Sequence, residues 1–294
     1  MSNEFGWLDA VNDIDQSTVE VTGPEYPYIQ WVNGKPPMKQ AGGVVYTGGW
    51  FLPEGQVSAH PGDGWTAGEL VHKDGASTEG FFARDITVAV IRMRRRWYVS
   101  SEQASFPWNE YDKAQAIGKP SGQAHILCLV RGLEDVGPMV LTVKGTICRA
   151  FMGSKQSEGV LGAFNRLVIR EANALNAKRN VKAKFPYRAF WLAVGPKRDE
   201  KGLPVFDEVG QGQDTSLVTL PTAVGLTAKL AAGELAKRFV GPELLATLNR
   251  CYSEADAWAI AWAIAWDTPA AEPAHNGGND FVGEPPPLED DLPF

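Results

Sequence analysis

Three arginines and a tyrosine recur at every second position along one predicted β-strand. Residues 81–99 are rich in β-branched and aromatic residues and contain no Gly or Pro, which indicates a strand. Alternation places Arg92, Arg94, Arg96 and Tyr98 on one face. Guanidinium groups bind phosphates and aromatic rings stack on bases, so this face is typical of a single-strand nucleic-acid binder. A solvated outer face, or an edge strand protected by charge, would carry the same pattern. The opposite face is predicted to carry Ile91, Met93, Arg95 and Trp97.

A second set of candidate DNA contacts lies in the most basic segment, residues 155–198, which holds ten Lys or Arg residues against two acids. Aromatic residues occur near its end, where residues 187–194 predict a strand. We expect phosphate contacts or base stacking from Lys182, Lys184, Tyr187, Arg188 and Trp191. Alternation puts Tyr187 and Trp191 opposite Arg188, so only one set of rings can face a ligand. A buried core strand is the alternative.

The last ten residues contain a proline run, three consecutive acids and a final phenylalanine. Prolines lack a backbone donor and acids favour solvent, so this stretch cannot form a core. An acidic arm that ends in an aromatic ring suits capture by a partner. The ring of Phe294 would enter an apolar pocket, while Asp290 and Asp291 would meet a basic rim. A solubilising acidic tail is the alternative.

Charge is distributed unevenly along the 294 residues. The net charge of −7 comes from both ends: residues 1–25 hold six acids, residues 253–294 hold nine, and neither end has a Lys or Arg. The remaining body, residues 26–252, therefore has 28 basic residues against 20 acids, a net charge of +8. A basic body with acidic ends favours a polyanion-binding surface for which the ends can compete.

Motifs for catalysis are not found. The chain has no phosphate-binding P-loop, no Gly-rich dinucleotide fingerprint and no nucleophile–base pair, and its four histidines have no partner at metal-ligand spacing. We therefore expect a non-enzyme without catalytic residues, metal or cofactor. The three cysteines are far apart, which predicts reduced thiols and a cytoplasmic location. No apolar run is long enough to span a membrane, and the N-terminus does not resemble a signal peptide.

After a long loop over residues 53–80 with one short strand, the predicted elements follow the order strand, strand, strand, helix, strand, strand. The first three strands are residues 81–99, 123–131 and 139–151. The helix is residues 159–178, where apolar residues recur at helical spacing. This order favours an α+β fold, an OB-fold-like five-stranded β-barrel with a helix between strands 3 and 4. We predict a loosely structured acidic arm in residues 1–40, the OB-like domain in 41–221, a helical extension in 222–266 and a disordered acidic tail in 267–294.

Within the helical extension, residues 242–266 are predicted to form one helix. Three tryptophans repeat at every fourth position, so Trp258, Trp262 and Trp266 form one stripe. No Lys or Arg follows Arg250. The stripe therefore favours internal packing or a homo-oligomer contact over base stacking.

The C-terminal tip resembles a known motif. Bacterial single-stranded-DNA-binding proteins usually end in Asp-Asp-Ile-Pro-Phe, and this chain ends with the residues Glu289, Asp290, Asp291, Leu292, Pro293 and Phe294 after a Gly/Pro-rich linker. Leu292 replaces the isoleucine and keeps an apolar side chain. The resemblance covers only these residues, because the body does not align with the short domain of that family. It implies a tip that docks on replication, recombination and repair enzymes in a bacterial or phage-infected bacterial cell.

We therefore expect a protein that protects single-stranded DNA and recruits those partners through its tip. Two alternatives stay open. A phage-type annealing protein would pair complementary strands and carry the same tip for recruitment. An adaptor without nucleic-acid affinity would use the tip to mimic the host protein.

Overall fold

The computed structural model describes residues 26–34, 48–72, 76–154, 157–211, 214–226 and 230–259. The predicted acidic tail and tip lie outside these residues, as do Trp262 and Trp266.

Most of the described strands belong to a single mixed sheet. The strands are β1 (Tyr28–Val32), β2 (Gly49–Pro53), β3 (Trp65–Val71), β4 (Ser77–Ala83), β5 (Ile86–Val99), β6 (Ala104–Pro107), β7 (Pro120–Val130), β8 (Met139–Lys144), β9 (Leu192–Pro196), β10 (Phe206–Gln211), β11 (Asp214–Thr219) and β12 (Pro221–Ala223). Ten of them form one sheet in the order β12-β9-β5-β7-β8-β1-β2-β4-β3, with β6 beside β5. β10 and β11 form a separate hairpin.

The described helices are α1 (Tyr111–Ile117), α2 (Gly145–Met152), α3 (Gly159–Phe164), α4 (Arg170–Lys178), α5 (Ala232–Arg238) and α6 (Pro242–Glu254). A π-helical segment, Asn165–Ile169, joins α3 to α4. The predicted helix over 159–178 is thus confirmed. In the described part of the chain, no helix is long and apolar enough to cross a membrane.

The predicted five-stranded OB barrel is wrong. The ten-stranded sheet is not closed, and its centre is the pairing of β1 with β8. That pairing is parallel and joins Tyr28 to Val140, so it depends on a contact across more than a hundred residues. β1 also falls in the segment predicted as a loose arm, and α5 in the predicted extension contributes Leu235 to the main core.

Two segments that differ from the prediction contribute to the wrong topology. Residues 53–80 are predicted to be mainly loop, but they hold most of the β3–β4 hairpin, whose first strand is mostly exposed. Residues 139–151 were expected to form one strand, but the chain turns into α2 after Lys144. Gly145 starts that helix at a φ of 54°, a conformation that favours glycine and lets the backbone change direction.

Each side of the sheet has its own apolar cluster. On one side, which we name the helical face, Ile126 and Leu141 pack against Phe151 of α2, Phe164 of α3 and Ala172 of α4. On the other side, Leu127 and Leu129 pack with Leu248 of α6 and Trp258. Because neighbouring residues on a strand point to opposite sides, β7 contributes to both clusters.

A β-bulge in β5 modifies the predicted alternation. The pairing register with β7 shifts between Val90 and Arg92. Ile91 therefore packs in the same cluster as Leu127, the residue that faces Arg92. The prediction that Ile91 shares a face with Met93 and Trp97 is wrong, because an inserted residue changes the phase of the strand.

Candidate nucleic-acid interface

The strand register gathers polar and basic side chains on the side of the sheet opposite the helical face. Arg94 of β5 faces His125 of β7, which in turn faces Thr142 of β8. One step further along the strands, Arg96 faces Gln123 and Gln123 faces Lys144, and beyond that Tyr98 faces Ser121. We name this surface the basic face and define it by Arg94, Arg96, Tyr98, Gln123, His125, Thr142 and Lys144. Paired residues share a side of a sheet, so these side chains are neighbours.

Arg94 connects the basic face to the C-terminal part of the described chain. Its Nη1 donates to the carbonyl of Trp258 at 2.8 Å, and its guanidinium lies 4.2 Å from the centre of the Trp258 ring. Its Nε and Nη2 lie 3.4 and 3.3 Å from Nδ1 of His125. Arginine only donates, so Nδ1 of His125 accepts and the imidazole proton is on Nε2.

Arg96 is held in place by its neighbours on the sheet. Its Nε donates to Oε1 of Gln123 at 3.0 Å, and its guanidinium lies 5.7 Å from the centre of the Tyr98 ring. Gln123 itself is buried. The cation is therefore fixed beside an aromatic ring, which is the combination that single-strand binders use.

Burial and the neighbouring cations shift the pKa values of the side chains at this surface. Burial, and then the charge of Arg96, lower the pKa of Arg94 to about 9. Burial also lowers the pKa of Arg96. The pKa of His125 falls well below 6.5 because the ring is buried and because Arg94, Arg96 and Lys144 all repel its protonated form. Three cations from two strands therefore converge on one neutral histidine.

Arg92, the first member of the predicted ladder, takes part in a contact with α6. Its guanidinium lies 3.9 Å from the centre of the Tyr252 ring, and it forms a salt bridge with Asp256. Arg188 stacks on the same ring at 4.1 Å and donates to Oδ1 of Asn249 at 2.6 Å. We name this Arg92–Tyr252–Arg188 arrangement the arginine clip. It holds α6 against the sheet next to the apolar cluster of Leu127, Leu129 and Leu248.

Trp258 is part of the core rather than a free stacking ring. It is 3% exposed, lies against Tyr26 with ring centres 6.0 Å apart, and belongs to the cluster of Leu248 and Leu127. The helix predicted over 242–266 is interrupted at Ala255, and residues 256–259 continue as a further helical turn. Trp258 thus supports the internal-packing interpretation of the tryptophan stripe.

The structure separates the remaining predicted contacts from the basic face. Lys182 and Lys184 are exposed in the loop that follows α4, on the helical side of the sheet. Tyr187 is half-buried and packs near Phe164 of α3, with ring centres 6.0 Å apart. Trp191 is 7% exposed in the cluster beneath α6, so its ring is not presented at the surface.

The alternation predicted for residues 187–194 fails for a local reason. Tyr187–Ala189 is a 3₁₀ turn, and the strand begins only at Leu192. A strand period therefore does not apply to the first residues, and Tyr187 and Ala189 pack against the main core while Trp191 packs against the second cluster.

Several members of the basic face were not predicted from the sequence. His125, Gln123 and Lys144 lie on segments predicted as strands, and alternation alone relates His125 to Gln123. Nothing local indicates that β7 and β8 pair in the register that places Lys144 and His125 on the surface of Arg94. The contacts of Tyr252 with Arg92 and Arg188 could not be predicted for the same reason.

Other chemistry has little support in the described residues. No group of three or more His, Cys, Asp or Glu among them is arranged to hold a metal ion. The cysteines are free: Cys128 and Cys148 are buried and Cys251 is half-buried. Burial raises the pKa of the Cys128 and Cys251 thiols, which disfavours the thiolate.

Comparison with known proteins does not extend this description, because no protein-family model, curated protein or solved structure matches the chain.

Proposed function

We propose that the chain is a non-catalytic protein that binds single-stranded DNA on the basic face. The observation that carries the proposal is geometric: the register of β5, β7 and β8 places Arg94, Arg96 and Lys144 around His125 and Gln123. A fixed cluster of cations on a sheet surface attracts the phosphates of a nucleic-acid strand and does not require a particular sequence.

In this proposal, different side chains of the basic face contact different parts of the DNA strand. Arg96 and Lys144 contact phosphates, and the ring of Tyr98 stacks on a base. Ser121 and Thr142 line the same surface and supply hydroxyl groups that hydrogen-bond phosphate or sugar oxygens. Arg94 positions the surface, because it already bonds the carbonyl of Trp258. Arg92 and Arg188 belong to the arginine clip and hold α6.

The acidic C-terminal segment competes for the same surface and docks partners. The described chain reaches residue 259 directly after the Trp258 carbonyl that Arg94 binds, and residues 260–294 hold seven acids and no Lys or Arg. The described chain therefore reaches the basic face immediately before this acidic part of the sequence. When DNA displaces it, the tip from Glu289 to Phe294 is free to recruit replication, recombination and repair enzymes. This last part depends on the resemblance of the tip.

A salt series with the full chain tests the proposal. We expect a fluorescent oligo-dT to bind more tightly than a duplex of the same length, and the logarithm of the affinity to fall linearly with the logarithm of the salt concentration. Binding to neither nucleic acid, or an affinity that does not change with salt, would exclude a phosphate-binding surface and leave the adaptor interpretation.

Single substitutions locate the site. Arg96→Gln and Lys144→Gln should each weaken oligo-dT binding and lower the salt slope by about 0.7, the change expected for one lost phosphate contact with a single strand. Lys201→Gln removes the same charge from an exposed turn and is the matched control. Equal effects of all three substitutions would mean that net charge, rather than the basic face, governs binding.

A further inference from the structure

A second basic surface lies on the helical side of the molecule. It consists of Lys178 and Arg179 at the end of α4 and Lys182 and Lys184 in the following loop, and we name it the basic ridge. All four side chains are exposed. The sequence contains no Asp or Glu between Glu171 and Asp199, so no acid within this stretch offsets the charge.

The end of α4 has a defined backbone conformation. Asn180 has a φ of 58°, in the left-handed region that asparagine tolerates. The amide of Asn180 donates to the carbonyl of Ala177 at 3.0 Å, and the amide of Val181 donates to the carbonyl of Asn176 at 2.9 Å. These two bonds form a Schellman motif, which ends the helix and directs the chain back along it.

Two asparagine side chains then hold the loop against the helix. Nδ2 of Asn176 donates to the carbonyl of Ala183 at 3.1 Å, and the amide of Phe185 donates to Oδ1 of Asn173 at 2.7 Å. The backbone on both sides of Lys184 is therefore anchored. A surface whose backbone is already ordered loses less entropy when it binds a ligand.

The basic ridge and the basic face lie on opposite sides of the sheet. α4 packs on the helical face through Ala172. The chain then changes sides at the 3₁₀ turn before β9, where Tyr187 packs with the helical side and Arg188 reaches Tyr252 on the other side. The two sets of predicted contacts therefore lie on separate basic surfaces.

We infer that the basic ridge binds a second segment of single-stranded nucleic acid while the basic face holds the first. One chain would then bring together two strands, or two parts of one strand. This inference rests on the proposed function of the basic face. Lysines at exposed, fixed positions bind phosphates as point charges without reading sequence, so the second segment is recognised by its backbone.

The test uses Lys182→Gln/Lys184→Gln in the full chain. These two lysines lie outside the helix, whereas Lys178 and Arg179 also complement the negative end of the α4 dipole and would affect stability. Donor- and acceptor-labelled oligo-dT are mixed with protein, and energy transfer reports capture of two strands in one complex. Sedimentation measures the number of chains in that complex, and the rate of annealing of complementary oligonucleotides is a second readout.

We expect the wild-type chain to capture both strands. The double variant should bind the second strand about five-fold more weakly and lose about 1.4 from its salt slope, which corresponds to two phosphate contacts. Its affinity for the first strand should stay within about two-fold of the wild-type value, because the basic face is intact. Annealing should slow by a similar factor. Lys201→Gln/Lys237→Gln removes the same charge elsewhere on the exposed surface and should change neither readout.

If the wild-type chain captures two strands, three results with the variants would still overturn the inference. Capture of the second strand could be unchanged in the double variant, or it could be reduced equally in the control. It could also change only because the number of chains per complex changes. That last result would make the basic ridge a contact between copies of the chain. If the wild-type chain binds one strand and never a second, the basic ridge inference alone fails. If it binds no strand at all, the proposed function of the basic face fails as well.

Discussion

Arg94 and His125 face each other across β5 and β7, with Nη2 of the arginine 3.3 Å from Nδ1 of the histidine. This contact is possible only while the imidazole is neutral, because a protonated Nδ1 would be a second donor pointing at a cation. The repulsion by Arg94, Arg96 and Lys144 and the burial of the ring keep the pKa of His125 well below 6.5.

The His125 contact makes stability depend on pH. Below about pH 6.5 the unfolded chain takes up a proton on this histidine and the folded chain does not, so the free energy of unfolding decreases as the pH falls from 6.5 toward the folded pKa. The slope can reach about 1.4 kcal/mol per pH unit. Urea unfolding of the wild-type protein and His125→Gln across this range measures it. The difference between the two proteins should shrink as the pH falls, and a difference that is independent of pH would contradict the lowered pKa.

The arginine clip should contribute to stability through the ring of Tyr252 rather than its hydroxyl. Replacement by Leu removes stacking with both Arg92 and Arg188, at 3.9 and 4.1 Å, and should lower the free energy of unfolding by about 1–2 kcal/mol. Tyr252→Phe keeps the ring and should stay within about 0.5 kcal/mol of the wild type. Chemical denaturation compares the two variants. Equal stability of the Leu and Phe variants would show that the stacked cations contribute nothing.

Gly80 should be required by the packing of β2 against β4. A Cβ at this position would lie 2.4 Å from the carbonyl oxygen of Leu52 and 2.6 Å from the ring of Phe51. Gly80→Ala should therefore destabilise the fold by about 1–3 kcal/mol, because the core would be overpacked. Gly55→Ala is the matched control, since a Cβ there has no neighbour within 4 Å. Thermal unfolding should separate the two variants, and a Gly80→Ala protein as stable as the control would contradict this packing.

Removal of the six C-terminal residues should separate partner docking from DNA binding. The deleted residues include three acids and Phe294, the ring proposed to enter a partner pocket. We expect the truncated chain to bind oligo-dT as well as or better than the full chain, because part of the competing acidity is lost. It should no longer bind host replication and repair enzymes in a pull-down. Phe294→Ala should lose the partners without a change of charge. Weaker DNA binding after truncation would contradict competition by the acidic segment.

The sequence by itself determined features that depend on neighbouring residues. The two-residue period of a strand indicated that Arg92, Arg94, Arg96 and Tyr98 share a side, and the pairing of β5 with β7 confirms it. The helical period indicated the helix over 159–178, interrupted only by a π-helical segment. The uneven charge and the composition of the C-terminal tip were also visible without a structure.

The tertiary structure decided which of these features meet. The parallel insertion of β1 beside β8 and the register between β7 and β8 are set by packing between distant segments, and they place His125 and Lys144 beside the arginines. The packing of α6 on the sheet decided that Arg92 stacks on Tyr252, while the contact of the loop with α4 keeps Lys182 and Lys184 on the helical side. Local periodicity shows how a strand alternates, but only the burial of apolar surface between elements determines what covers each side.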